Sequence, residues 1–146
     1  MALLLKLNVE EYADNEVIYK DVSVNNEYYK YIRALTEKGV VSGTGNSRFQ
    51  PNAIISRAEA ITMIINAIGF ENRAPEAVPI LTFNDSYKVP QWAVKYIYVA
   101  NKIGIVNGNE MGQVMPDKKL TKAEIATMCN RLITYITEEL SEEYIK

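Results

Sequence analysis

Two four-residue stretches, Ser56-Arg57-Ala58-Glu59 and Thr121-Lys122-Ala123-Glu124, each stand ahead of an apolar run. A Ser or Thr at a helix N-cap accepts the backbone N–H three residues on, and a Glu there reaches back to the cap's own N–H. The spacing therefore predicts a capping box at the head of two helices. Capping does not explain the cation in second place, because the positive end of the helix dipole favours an acid there. One exposed cation per helix is common and needs no ligand; alternatively, set beside the unpaired N–H groups of a first helical turn, a cation makes an anion site, and arginine's planar fork suits a carboxylate. Lys122 keeps the charge and loses the bidentate geometry, so the second copy is expected to be weaker or to select a different ligand.

Other chemistries have little to work with. The chain has no histidine and a single cysteine, Cys129, which removes disulfide frameworks, His/Cys zinc sites, Cys/His nucleophile pairs and the usual general base. Cys129 falls in an apolar stripe and reads as a small hydrophobe. The remaining catalytic candidates are carboxylates, and Asp21, Asp85, Glu59 and Glu124 all have capping or turn explanations, so no enzyme is expected, and no metal or cofactor. With 16 basic and 18 acidic residues, net −2, the chain lacks the electrostatic grip that nucleic acid requires. No apolar run approaches the roughly 20 residues that span a bilayer, so no membrane insertion is expected. The opening MALLLKLN lacks a basic leading segment and reads as folded structure; any export signal is expected outside this chain.

The elements that position the two tetrads come in a repeat of about 65 residues. EYYKYIRALTEKGVVSG (27–43) aligns with WAVKYIYVANKIGIVNG (92–108), and RFQPNAIISRAEAITMIINAIG (48–69) with QVMPDKKLTKAEIATMCNRLIT (113–134). Each unit reads as helix, glycine-punctuated loop, helix. Tyr28, Tyr31, Ile32 and Leu35, and their counterparts Ala93, Tyr96, Ile97 and Ala100, follow the i, i+3, i+4, i+7 spacing of one buried helical face. Gly39 and Gly104 stand where a left-handed residue ends the first helix. Pro51 and Pro116 are expected to keep the chain extended before the second. Its apolar stripe is Ala60, Met63, Ile64, Ala67 and Ile68 in one copy and Ile125, Met128, Cys129, Leu132 and Ile133 in the other. The division that follows is a C-terminal helix of an incomplete first repeat at 1–18, repeats at 19–70 and 83–137, a linker at 71–82 and an acidic helical tail at 138–146.

Taken together, YKD, YY, GVVSG, FQP and SRAE in the first unit, and FND, WA, GIVNG, VMP and TKAE in the second, resemble the surface-layer homology repeats of bacterial cell-surface proteins. The resemblance covers about residues 19–136, and five motifs in the same order, twice, make it specific. It implies an all-α protein of tandem helix-loop-helix repeats packed as a pseudo-threefold bundle, the first repeat here being incomplete. It also implies a non-catalytic anchor at the cell surface that binds secondary cell-wall polysaccharide, pyruvylated in many cases, in grooves between repeats.

Carried onto this chain, the family's ligand-binding positions are Arg57, Lys122, Trp92, Asp21, Asp85, Gly43, Gly108 and Tyr28. Trp92 suits stacking on a sugar face or, equally, anchoring the base of a helix. Tyr28 or Tyr29 stands near the tryptophan's place in the first unit. Asp21 and Asp85 suit sugar hydroxyls as acceptors, yet as turn or N-cap groups they need no ligand. Gly43 and Gly108 allow close backbone approach to a ligand or simple turns. The alternative is a structural scaffold whose copies self-associate through the incomplete first repeat.

Overall fold

A computed structural model describes residues 8–12 and 16–144, with side chains through Glu138. The architecture is all-α: among the described residues there are four α-helices, α1 (Tyr29–Glu37), α2 (Arg57–Ala67), α3 (Val94–Lys102) and α4 (Lys122–Tyr144), with short 3-10 turns and no strand. By its contacts the chain divides into two compact units, one of residues 1–53 with 66–68 and one of 54–65 with 69–146. Of the helix expected at 1–18, residues 1–7 and 13–15 lie outside the described residues, and Val9–Tyr12 form a 3-10 turn.

The first unit is built on Tyr19, Val22, Tyr29 and Ile32, with Ile18, Val24 and Phe49 packed against them. The Tyr19 and Phe49 rings meet at 5.2 Å between centroids. The buried face of α1 corrects the sequence expectation by one position: Tyr28 and Tyr31 are exposed, while Tyr29, Ile32 and Arg33 are buried. The reason is polar satisfaction at the tips of long side chains. The Tyr29 hydroxyl donates to the Glu16 carbonyl at 2.6 Å, and Arg33 pairs with Glu16 at 3.1 Å and Glu37 at 3.0 Å. A tyrosine and an arginine can therefore occupy positions that hydrophobicity alone assigns to solvent. α1 ends as expected, with Gly39 at φ 69° and the Val40 N–H donating back to the Leu35 carbonyl, the left-handed stop that a Cβ disfavours.

In the second unit the largest fully buried side chains are Ile61 and Ile65 of α2, Ile97 and Val99 of α3, Leu132 of α4, and Ile105, Val106, Val114 and Pro116 of the segment between α3 and α4. α2 is buried around most of its circumference, because Ile61 and Ile65 lie outside the predicted stripe and are covered as well as Ile64 within it. α4 is not. Met128 and Leu132 are buried, but Ile125 is 36% and Ile133 46% exposed, which corrects the expectation of a wholly buried stripe, and Cys129 is a half-buried free thiol.

The proline loops also differ from expectation. Pro51 and Pro116 sit in turns closed by Ala53 N–H to the Gln50 carbonyl and Lys118 N–H to the Met115 carbonyl. Each turn starts on a non-glycine residue in the left-handed region, Gln50 at φ 59° and Met115 at φ 52°, a conformation that costs on the order of 1–3 kcal/mol and needs support. The support is an aspartate. Asp21 accepts the N–H groups of Phe49 and Gln50 at 2.8 Å each, and Asp85 accepts those of Val114 and Met115 at 2.8 Å each. These backbone bonds hold the Asp21 carboxyl below its ordinary range, the Phe49 bond having the largest effect.

Candidate functional site

Both capping boxes form as the spacing predicts. Ser56 N–H donates to Glu59 at 2.7 Å and Glu59 N–H to the Ser56 hydroxyl at 3.3 Å. Thr121 N–H donates to Glu124 at 3.1 Å and Glu124 N–H to the Thr121 hydroxyl at 3.2 Å. The expectation of unpaired N–H groups beside the cation does not hold at α2. There the N–H groups of Arg57 and Ala58 donate to the carbonyls of Lys118 at 2.8 Å and Pro116 at 2.9 Å, and Ser56 bridges Lys119. The loop clamped by Asp85 thus seats on the first turn of α2 and consumes its donors. Any anion attraction at this helix end comes from side chains.

Those side chains line a cavity of about 330 Å³ within the second unit, where Arg57 meets Lys118, Glu124 and Arg131 beside Asn107 and Gly108. The Arg57 side chain is only 12% exposed, its Nη1 stands 3.8 Å from Glu124 Oε1, and its buried Nε has no hydrogen-bond partner among the described residues. Burial pulls the Arg57 guanidinium below its ordinary range; Glu124 opposes this, and the like charge of Arg131 adds to it. Glu124 is committed elsewhere. Lys118 Nζ holds its Oε1 at 2.6 Å, and Thr121 holds its Oε2 through N–H and hydroxyl at 3.1 and 3.0 Å. The hydrogen bond from Lys118, followed by that from the Thr121 backbone, lowers the Glu124 pKa to about 2. Three cations and one carboxylate therefore face the cavity, and the carboxylate is already saturated. The cavity wall is net positive, and Arg57 Nε is its unsatisfied buried donor.

The sequence candidates do not converge on one place. Arg57 and Gly108 line this cavity. Lys122 is exposed and outside its lining. Trp92, 52% exposed, lines a different cavity with Glu71 and Lys95. Asp85 is 3% exposed with both oxygens on backbone N–H groups, and Asp21 makes the same two bonds in the first unit; in place of the turn or N-cap bond expected of them, both carboxylates clamp backbone 28 to 30 residues away. Gly43 answers to a packing demand, since a Cβ there would lie 2.5 Å from the Arg48 carbonyl oxygen and 2.6 Å from the Tyr19 ring. Tyr28 is 58% exposed ahead of α1.

Sequence reading missed Lys118 and Arg131. Matching one repeat to the other hid them, because their counterparts 65 residues earlier are Ala53 and Asn66. A signal was present nonetheless: Glu124, Met128 and Arg131 follow i, i+4, i+7 and so share one face of α4, with the Arg131 guanidinium tied to the Ile105 carbonyl at 3.3 Å.

Comparison with known proteins adds an independent line. The family model described as S-layer homology domain matches residues 18–61 and 82–126, more than half of the chain. The chain is 30% identical over 134 residues to an endoglucanase of Bacillus sp. (strain KSM-635), covering 92% of this chain and 14% of that protein. It is 28% identical over 124 residues to the surface-layer 125 kDa protein of Lysinibacillus sphaericus, covering 83% and 10%. It is 32% identical over 106 residues to the middle cell wall protein of Brevibacillus brevis, covering 73% and 10%. The chain spans no more than about a seventh of the length of these relatives.

Proposed function

Because the chain belongs to the S-layer homology domain family, whose modules anchor surface-layer proteins and cell-surface enzymes to the wall and are not themselves catalytic, we propose that it is a wall anchor at the cell surface whose Arg57 cavity takes an acidic group of a secondary wall polysaccharide. The ligand class is a glycan bearing carboxylates, with pyruvyl ketals the favoured form. The observation that carries the reading is the unpartnered, buried Nε of Arg57 in a cavity where Lys118 and Arg131 add positive charge and Glu124 is already neutralised. A ligand carboxylate would pair with the Arg57 fork and relieve the repulsion between Arg57 and Arg131, while Asn107 and Gly108 line the space for the adjoining sugar. The test is retention of the protein on purified cell-wall sacculi. Arg57→Ala is expected to weaken retention roughly tenfold or more, and chemical removal of pyruvate from the sacculi to do the same to the unaltered protein. Undiminished retention of Arg57→Ala would remove Arg57 from the site.

A second reading, association between copies, is favoured by the exposure of Ile125 and Ile133, which lie two turns apart on one side of α4. It predicts a sedimentation coefficient that rises with concentration and ceases to do so in Ile133→Glu. A monomer at all concentrations would contradict it.

A further inference from the structure

The segment between α3 and α4 carries the dipeptide Asn107-Gly108, which neither the capping boxes nor the aspartate clamps use. Its backbone is irregular and both residues are exposed. Other asparagine side chains of this unit are tied down. Asn84 Nδ2 donates to the Met111 carbonyl at 2.7 Å, Asn101 Nδ2 to the Val106 carbonyl at 2.9 Å, and Asn109 Oδ1 accepts the N–H groups of Met111 and Gln113 at 3.0 and 2.9 Å. Asn107 differs. Among the described residues its side-chain amide has no hydrogen-bond partner, and the Gly108 N–H donates to no acceptor. Gly108 also brings no Cβ to obstruct its own nitrogen. The matching pair in the first unit is Ser42-Gly43, which has no side-chain amide to lose.

We propose that Asn107-Gly108 is a self-modifying site, where the folded protein deamidates and turns a neutral part of the Arg57 cavity wall anionic. The Gly108 nitrogen gives its proton to solvent and bonds to Asn107 Cγ. The Cγ–Nδ2 bond breaks, its electron pair leaves with the nitrogen, which takes up a proton and departs as ammonia, and a cyclic succinimide closes. Water then adds to an imide carbonyl and opens the ring, leaving an aspartate or an isoaspartate at position 107. The net reaction consumes one water and releases one ammonia, with no oxidation. Arg57, Lys118 and Arg131 line the same cavity as Asn107 and Gly108, and their field favours the negative charge that develops on the attacking nitrogen. Once formed, the carboxylate stands in the wall that the wall-polysaccharide reading gives to the ligand's acid. The modification does not depend on that reading; its effect on retention does.

The test incubates the full chain in alkaline buffer, folded and in urea, and follows it by isoelectric focusing and peptide mapping. The folded chain is expected to gain a species one charge more negative than the starting −2, with the change at position 107. Its rate is expected within about threefold of the rate in urea, as for a group that reacts without any opening of the fold, whereas Asn84 and Asn101 convert in urea alone. Asn107→Ser is expected to form no such species. The converted protein, and Asn107→Asp, which adds the charge without an isoaspartyl link, are expected to be retained on sacculi roughly tenfold less well than the unaltered chain. A folded chain that keeps its charge while the unfolded chain converts at 107 overturns the site. Conversion at 107 with undiminished retention upholds the site and counts against the anion cavity. Retention that depends on Arg57 in a folded chain that never converts rejects the modification alone.

Discussion

At the start of α2, the N–H groups of Arg57 and Ala58 are seated on the carbonyls of Lys118 and Pro116, and the Arg57 side chain is folded beneath to 12% exposure. At the start of α4 the same reciprocal capping bonds form between Thr121 and Glu124, yet Lys122 stands in solvent, and among the described residues no backbone carbonyl receives its N–H. The tetrad therefore specifies a cap in both copies and places its cation in a cavity wall in one. What separates them is the loop that lands on the helix. α2 receives the 114–119 turn, which brings Lys118 with it, and Arg131 and Glu124 approach from α4. Glu124 serves both ends: it caps α4 and faces Arg57, so the second tetrad supplies the wall of the first one's cavity.

Removing what holds that loop should erase the difference, and this is the largest effect expected. Asp85→Ala leaves two N–H groups unpaired and frees Met115 from its left-handed backbone, a loss of about 3 kcal/mol in stability from two charge-assisted bonds at a buried site. Urea unfolding measures it, and sacculus retention should fall with it as the 114–119 turn lifts from α2. A midpoint unchanged by the substitution would mean the turn holds itself.

The caps offer the converse test. Ser56→Ala and Thr121→Ala should each cost about 1 kcal/mol, the usual contribution of an N-cap hydroxyl, and the similarity of the two values is the point. Equal losses in stability beside unequal effects on binding would show that capping and recognition are separate properties of one tetrad. A loss confined to Thr121→Ala would show instead that the backbone bonds from 116 and 118 make the Ser56 hydroxyl dispensable.

The smallest effect is one of acidity. The folded Glu124 carboxyl has its pKa lowered from 4.5 to about 2, so its contribution to stability is complete above pH 4.5 and is lost as pH falls from there through 2. Unfolding between pH 5 and 2 should show this loss, and Glu124→Gln should flatten the profile over that window while raising the net positive charge around Arg57. A profile that keeps its slope in the variant would assign the acid sensitivity to other carboxylates, Asp21 among them.

Local chemistry was legible in the residues. The capping boxes, the left-handed stops at Gly39 and Gly104 and the helical class follow from spacing of a few residues. The buried face of α1 was displaced because Tyr29 and Arg33 satisfy their polar tips on Glu16, 13 and 17 residues away, a contact that periodicity does not contain. The aspartate clamps likewise span 28 to 30 residues; the leading Asp of each unit was visible, its partner was not. Arg57 was singled out because capping left its charge unexplained, whereas Lys118 and Arg131 escaped notice because they occur in one repeat only, which is also why the two tetrads are not equivalent.

Recognition is expected at the first tetrad and not at the second, and the dissociation constant for pyruvylated wall polysaccharide tests this most directly in Arg57→Ala and Lys122→Ala side by side. Loss of a charge-assisted pair of about 1.5–3 kcal/mol predicts a weakening of roughly tenfold to a hundredfold for Arg57→Ala, against less than about twofold for an exposed charge at Lys122. Equal losses in the two variants, or a greater loss at Lys122, would contradict the account.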